Sequence, residues 1–414
     1  MPVTLLRCGA PPESVEALPP ETLRCVATPP DGEAIARLVI DALGEPIGLP
    51  ALPLCVTPDD YVAIAVGHDV PESAALVIGV IAALTAAGID RPRVRVVAAH
   101  PRDEATLSEG LAQETSSGVR LEVHDPAGGD DLCFAGLAKG DRPLMVNRSI
   151  FEADVVVPLS AEATAGDLTA TDDAGGAYDG LFPDFFDQET IDRVRKVRTV
   201  QDASLGSETR RTTRRAESDQ AGWLVGAPLV LRAVPGPGGG VAAVLAGDPE
   251  QVAERAAAAS SEAWRTPLIE TADVVLAIVS GGPGQQTWTA VGRALAAAER
   301  LAGPGAVLAV WSDLEEPIGE KLMRLADVED RDRVASELAA ESGDEALAAW
   351  RVLQAIDRGP VFLRSKLDAD AVETLGLAPV GNAEEMQRLV GRFPNSTVLE
   401  EAQHVNFATA VEAP

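Results

Sequence analysis

Several residue types are scarce in this chain, and each scarcity excludes something. There are four cysteines in 414 residues, at Cys8, Cys25, Cys55 and Cys133, with no CxxC pair among them. That pattern predicts neither a disulfide framework nor a cysteine zinc site. No run of about 18 uninterrupted apolar residues occurs, so no membrane span is expected. The start, MPVTLLRCGAPPESVEAL, lacks the basic opening and long apolar stretch of a secretion signal, and a cytoplasmic location is the default expectation. Positive charge is short as well. The formal net charge is −30, a field that repels nucleic acid and anionic lipid. The single basic cluster, RRTTRR at 210–215, is expected on a solvated loop or helix face paired with surrounding acids. No HExxH, GxSxG, GxGxxG or GK[ST] motif is present.

What remains is an Ala/Val/Leu-rich chain, long enough for two cored domains. YVAIAV and RVRVVAA have the character of buried strands, each followed by a helical pattern, ESAALVIGVIAALTAAG and DEATLSEGLAQET. RLEVHD and ADVVVPLS continue the series. Alternation of this kind predicts a parallel sheet covered by helices. Residues 165–222 have few periodic apolar positions and are expected as loops and short helices over one end of the sheet. Residues 227–248 predict two strands about a Pro/Gly turn, followed by a long helix. A second α/β unit starts near Thr266, with TADVVLAIVSGG, a helix, then GAVLAVWS and GPVFLRSKL as strands. The fold class expected is α/β, with two domains, each a largely parallel sheet flanked by helices, and a cleft between them. The boundaries expected are 1–262 and 263–389. The tail, 390–414, predicts a hairpin that packs back onto the first domain.

Histidine is scarce too. Of four, His68 and His100 both follow an apolar run in the same frame, 32 residues apart. In an open α/β sheet, ligands bind beyond the carboxyl ends of the strands. Two imidazoles there suit acid–base work or metal ligation. A helix cap is the plain alternative for His68, and a structural role the alternative for His100. His124 and His404 are expected in structural roles. SGGPGQQTWTAV puts Gly281 and Gly282 between a strand and a helix, which fits either a tight turn or an anion site.

Taken in order along the chain, these segments resemble the nickel-dependent lactate racemase family. ALGEPIGLPAL is similar to the family's Asn-Pro-Ile-Gly segment, and VGHDVPESAALVIGVIAAL to its Asp-His-Thr-Arg-Pro turn and helix. VRVVAAHPRDEATLSEGL, LEVHDPAGGDDLCFAG, MVNRSIFEADVVVPLS, LAGDPEQVAERA and ETADVVLAIVSGGPGQQTWTAV correspond to later family segments in the same order. The resemblance implies a two-domain α/β protein with its site between the domains. It also implies a nickel-pincer nucleotide attached to a lysine, which accepts the α-hydride of a 2-hydroxy acid while histidines move the hydroxyl proton. His100 takes the place of one catalytic histidine, and His68 that of the first turn, with Gly67 and Val70 where the family has Asp and Arg. Leu168 stands where the second catalytic histidine belongs. Gly175, Gly176, Ala177, Tyr178 and Asp179 replace Gly-Gly-Arg-Lys-Ser, so Tyr178 occupies the anchoring-lysine position. No histidine lies between His124 and His404 to ligate nickel.

The expected site is therefore His100 as a catalytic base, with His68, Asp69, Gly175, Gly176, Tyr178, Gly281, Gly282, Gln285 and Gln286 lining a ligand site and no residue assigned to a metal. The expected ligand is a small anion, a 2-hydroxy acid or nucleotide-like molecule, and a protein partner stays open. The cofactor stays unknown: the resemblance implies the nickel-pincer nucleotide, and its anchoring lysine is absent. Three functions remain at this point: a diverged but active racemase or epimerase, a non-catalytic ligand- or partner-binding protein, and a nucleotide-dependent oxidoreductase, which the missing GxGxxG disfavours.

Overall fold

The computed structural model describes residues 32–113, 118–138, 141–162, 176–197, 207–266, 271–326 and 330–407, and the backbone of strands at 5–8, 13–16 and 21–23. Two six-stranded sheets organise the chain. In the first, the strands run in the order Val241–Gly247, Val230–Pro235, Val155–Ala161, Val62–Val66, Val94–Ala98, Arg120–Val123. All neighbours are parallel except the 230–235/241–247 pair, the two strands expected about a Pro/Gly turn. The second runs Ala378–Pro379, Val361–Arg364, Ala302–Trp311, Ala272–Ile278, Ser396–Leu399, Glu21–Leu23, parallel throughout.

Period-two alternation decides which side chains enter which layer. Val62, Ile64, Val66, Val96, Val157 and Leu159 face the helices Gly32–Gly44 and Ser73–Ala86. Ala63, Ala65, Val97 and Val156 face the opposite layer, built around Leu181, Phe182, Phe185 and Phe186. A sheet covered on both faces needs unbroken apolar strands, and Val62–Val66 is buried at every position. Ser73–Ala86 is apolar all round because it lies between the sheet and Gly32–Gly44. In the second unit, Val275, Ala277, Leu308 and Val310 pack against Trp288–Glu299 and Asp344–Arg358, and Val274, Leu276 and Trp311 against Ala383–Val390. Among the described residues no helix is long and apolar enough to cross a membrane.

Three expectations are corrected. Within 165–222, the described part is not loops and short helices alone, because Ser207–Val225 is a 19-residue helix. Its sequence hides it: among the described side chains it buries the polar Glu217 and Ser218 along with Ala221 and Val225, so no purely apolar stripe marks it. The tail reaches the first domain, where Glu401 accepts the Gly238 N–H at 3.0 Å, but it is not a hairpin. Ser396–Leu399 is an internal parallel strand of the second sheet, between Ala272–Ile278 and Glu21–Leu23. The strand Glu21–Leu23, placed by sequence with the first domain, belongs to that second sheet too. Both pairings join distant parts of the chain, which no local pattern records.

The two helices on the first sheet cross at a glycine. A Cβ on Gly79 would stand 2.7 Å from Val39 Cβ and 2.9 Å from the Ala36 carbonyl. Gly79→Ala should therefore lower unfolding free energy by about 1–3 kcal/mol through overpacking. Gly44→Ala, at a helix end with nothing within 4 Å, should cost nothing. Urea titration of the two variants checks the contrast; equal midpoints would contradict the packing argument.

Candidate functional site

Strand register places the histidines. Val62–Val66 pairs with Val94–Ala98 at a constant offset of 32 residues, the same offset that separates His68 from His100. The chain leaves both strands in step, and the rings stack with centroids 6.1 Å apart at 29°. Beside them, Gly67 and Gly180 allow the turn at 177–185 to close over the strand ends. Gly180 has φ +86°, and a Cβ there would stand 2.3 Å from Ser160 Cβ. The same turn brings Asp184 to the His68 backbone N–H, at 3.3 Å. Asp69 (φ 53°) and Glu72 (φ 50°) hold left-handed backbone conformations in the bend that follows.

Charges from both domains converge here. His68 Nε2 lies 2.5 Å from Asp344 Oδ2, at the start of the second-domain helix Asp344–Arg358. His68 Nδ1 lies 2.8 Å from the Arg102 guanidinium and 3.3 Å from Asp69 Oδ1. The ring thus has a partner for each state: neutral, Nδ1 accepts from Arg102; protonated, it donates to Asp69. Arg195 donates to Asp184 at 2.6 Å and reaches Asp344 Oδ1 at 3.5 Å. Asp69 also pairs with Arg102 at 2.7 Å and with Arg293 of the second domain at 3.4 Å. Carboxylates and cations therefore cross the domain junction in both directions.

Burial alone would lower the His68 pKa, but Asp344 and Asp69 outweigh it and raise it. Burial opposes ionisation of Asp69 too, yet His68, Arg102 and Arg293 pull its carboxyl down to about 2. Asp344 is held well below the usual carboxylate range, against its own burial, by His68 and Arg195. His100 moves the other way. Partial desolvation, then the positive charges of Arg102 and His68, lower it to about 4. Its Nδ1 accepts the Arg102 backbone N–H at 3.2 Å, so the neutral ring carries its proton on Nε2 and presents a donor. His404 is buried against Trp264, with ring centroids 4.9 Å apart, and burial lowers it to about 3. His124 is buried, its Nε2 2.9 Å from the Phe186 carbonyl.

The other expected residues fall elsewhere. Gly175 lies outside the described residues. The Gly176 carbonyl accepts from Arg232, which also meets Glu162 at 3.1 Å in a fully buried pair. Tyr178 packs its ring over Gly222 and donates to the Ala227 carbonyl at 3.3 Å. Gly281 and Gly282 form a turn closed by its own side chains. Gln285 accepts the Gly282 N–H at 3.1 Å and donates to the first domain's Gly239 at 3.3 Å. Gln286 accepts from Ser312 Oγ (2.7 Å) and the Asp313 N–H (2.9 Å), and donates to Val279 and Gly281. Gln285 fastens the junction and Gln286 the second-domain turn; among the described residues their hydrogen bonds do not reach the histidine pair. Sequence reasoning missed Arg102, Asp184, Arg195, Arg293 and Asp344. Only Arg102, two residues after His100, stood close enough in sequence to be found.

The residues present do not fit a lysine-anchored nickel nucleotide. Tyr178 is committed to packing, no lysine lies between Lys139 and Lys196, and no histidine between His124 and His404. Among the described residues no group of three or more His, Cys, Asp or Glu is placed to hold a metal.

No protein-family model matches the sequence, and no curated protein does. Solved structures do match in shape. The lactate racemase apoprotein from Thermoanaerobacterium thermosaccharolyticum superposes with a TM-score of 0.74 at 16% identity, covering 99% of this chain and 100% of that one. A Thermotoga maritima protein superposes at 0.63 and 12% identity, covering 92% of this chain and 99% of that one. The chain has a lactate-racemase-like fold.

The charge assignments are directly measurable. Near pH 6, about half a unit below an unperturbed imidazole, His68 should be an imidazolium while His100 and His404 stay neutral. Nitrogen-15 NMR of the histidine rings, with His68→Gln for assignment, reads this. A His100 ring that titrates near its ordinary value would contradict the site electrostatics.

Proposed function

We propose that this chain is a diverged member of the lactate racemase family that binds a small carboxylate, of the 2-hydroxy acid class, at the junction of its two domains. The observation that carries the proposal is that Arg102, Arg195 and Arg293 gather from both domains around His68 and the carboxylates of Asp69 and Asp344, with the His100 ring stacked beside His68. Guanidinium groups suit a carboxylate through paired, charge-assisted hydrogen bonds. His100 Nε2–H suits the adjacent hydroxyl or keto oxygen as a hydrogen-bond donor. Two neighbouring imidazoles of opposed pKa shift also suit proton transfer, which supports an active racemase or epimerase as the second reading. A base role for His100 requires release of Nδ1 from the Arg102 N–H. The family's nickel-pincer step is not part of the first reading, because Tyr178 cannot form the lysine's link.

Calorimetric titration with D- and L-lactate tests the proposal. Wild type should bind, His100→Ala should lose about tenfold or more in affinity, and His100→Gln, which keeps a donor, should lose less. Unchanged affinity in a folded His100→Ala would remove His100 from the site. Intact mass and nickel content after co-production with the pincer-forming enzymes separates the two readings. Sequence mass without nickel supports binding alone, whereas an adduct with stoichiometric nickel and interconversion of the lactate enantiomers supports the racemase.

A further inference from the structure

We infer that Asp344 occupies the carboxylate subsite of this junction as a built-in competitor, and that an incoming carboxylate exchanges with its side chain. The inference rests on the carboxylate-binding reading above and deepens it by naming the subsite and what regulates it.

Asp344 is held as a bound carboxylate would be. One oxygen meets His68 Nε2 at 2.5 Å, the other faces Arg195 at 3.5 Å. In either protonation state that the geometry allows, His68 Nε2 carries a proton, so the seat offers a donor whether the ring is neutral or charged. Arg195 does not depend on Asp344. Its main partner is Asp184 at 2.6 Å, whose side chain is 6% exposed against 31% for Asp344. Solvent therefore reaches the competitor and not the supporting carboxylate. Helix Asp344–Arg358 begins at this point, and Gly343 before it supplies no side-chain cap, so its partial positive end also favours an anion in the same place.

The exchange leaves the junction intact. The Gly343 N–H donates to Arg195 O at 3.2 Å, the Val197 N–H to Glu341 O at 2.9 Å, and Ser342 Oγ to Asp192 O at 2.6 Å. These bonds fix the start of the helix against the first domain. Asp344 can leave by side-chain rotation, with no separation of domains. Ligand affinity is then reduced by the fraction of time that Asp344 fills the seat.

The test is calorimetric titration of L-lactate, with acetate as the minimal carboxylate, into wild type, Asp344→Ala and Asp344→Asn at constant ionic strength. Near-UV circular dichroism reports folding, and Asp344→Asn keeps the side-chain shape if the alanine variant fails to fold. Asp344→Ala should bind L-lactate about tenfold more tightly or better, with Asp344→Asn between it and wild type. Acetate should gain in the same order. Lactate binding by wild type that neither folded variant tightens overturns the inference alone. Absence of binding by all three proteins overturns the carboxylate reading itself, and the inference with it.

Discussion

An imidazole bound between carboxylates of two domains sets the character of this molecule. His68 leaves the central strand of the first sheet and meets Asp344 of the second unit, with Asp69 on its other side. A charged or strongly polar group placed there, 12% exposed, is costly without compensation. The compensation comes from elements far apart in the chain: Arg102 beside His100, Asp184 on the closing turn, Arg195 after a short helix, and Arg293 in the second domain. Each of these is partnered in turn, so the charges of the cluster are shared among several pairs rather than resting on one. Domain placement, histidine protonation and the charge of the junction are consequently one problem with one solution.

The turn at 176–185 shows how the fold supports that network from behind. Arg232 is fully buried and donates to the carbonyls of Gly176 and Ala177 while it pairs with Glu162. Burial pushes the Glu162 carboxyl up to about 7, with Arg232 opposing that shift. A buried pair of this kind contributes little net stability, because desolvation offsets attraction. Its effect is positional. It fixes the start of the turn that carries Gly180 onto Ser160 and Asp184 onto His68 and Arg195.

Much of the fold was legible because strands and helices declare themselves locally. Val62–Val66 is apolar throughout, and its alternating sizes, Val and Ile against Ala, already separate a helix-packed face from the face that meets the phenylalanine cluster. The pairing of His68 with His100 was legible for the same reason: equal strand–turn spacing becomes equal register. Asp344 was not legible. It is 276 residues from His68, and nothing in DEALAAW marks one aspartate as a site residue among many on an acidic chain. Gln285 and Gln286 misled in the opposite sense. A polar turn after glycines resembles a ligand loop, yet these side chains hydrogen-bond back to their own turn, to Ser312 and Asp313, and to the hairpin at Gly239. The tail misled because Ser396–Leu399 is short and its partner strands lie more than a hundred residues away or at the other end of the chain.

Tyr178 shows how packing settles one position of the closing turn. The position lies on a turn whose neighbours are Gly222 and the carbonyl of Ala227, a slot that takes a flat ring with a hydroxyl at its tip. A Cβ on Gly222 would fall 2.3–2.4 Å from that ring, so the tyrosine requires the glycine. Burial raises the phenol pKa further and keeps it a neutral donor. Tyr178 is thus committed to packing, and the chemistry at the junction is that of cations, carboxylates and two imidazoles.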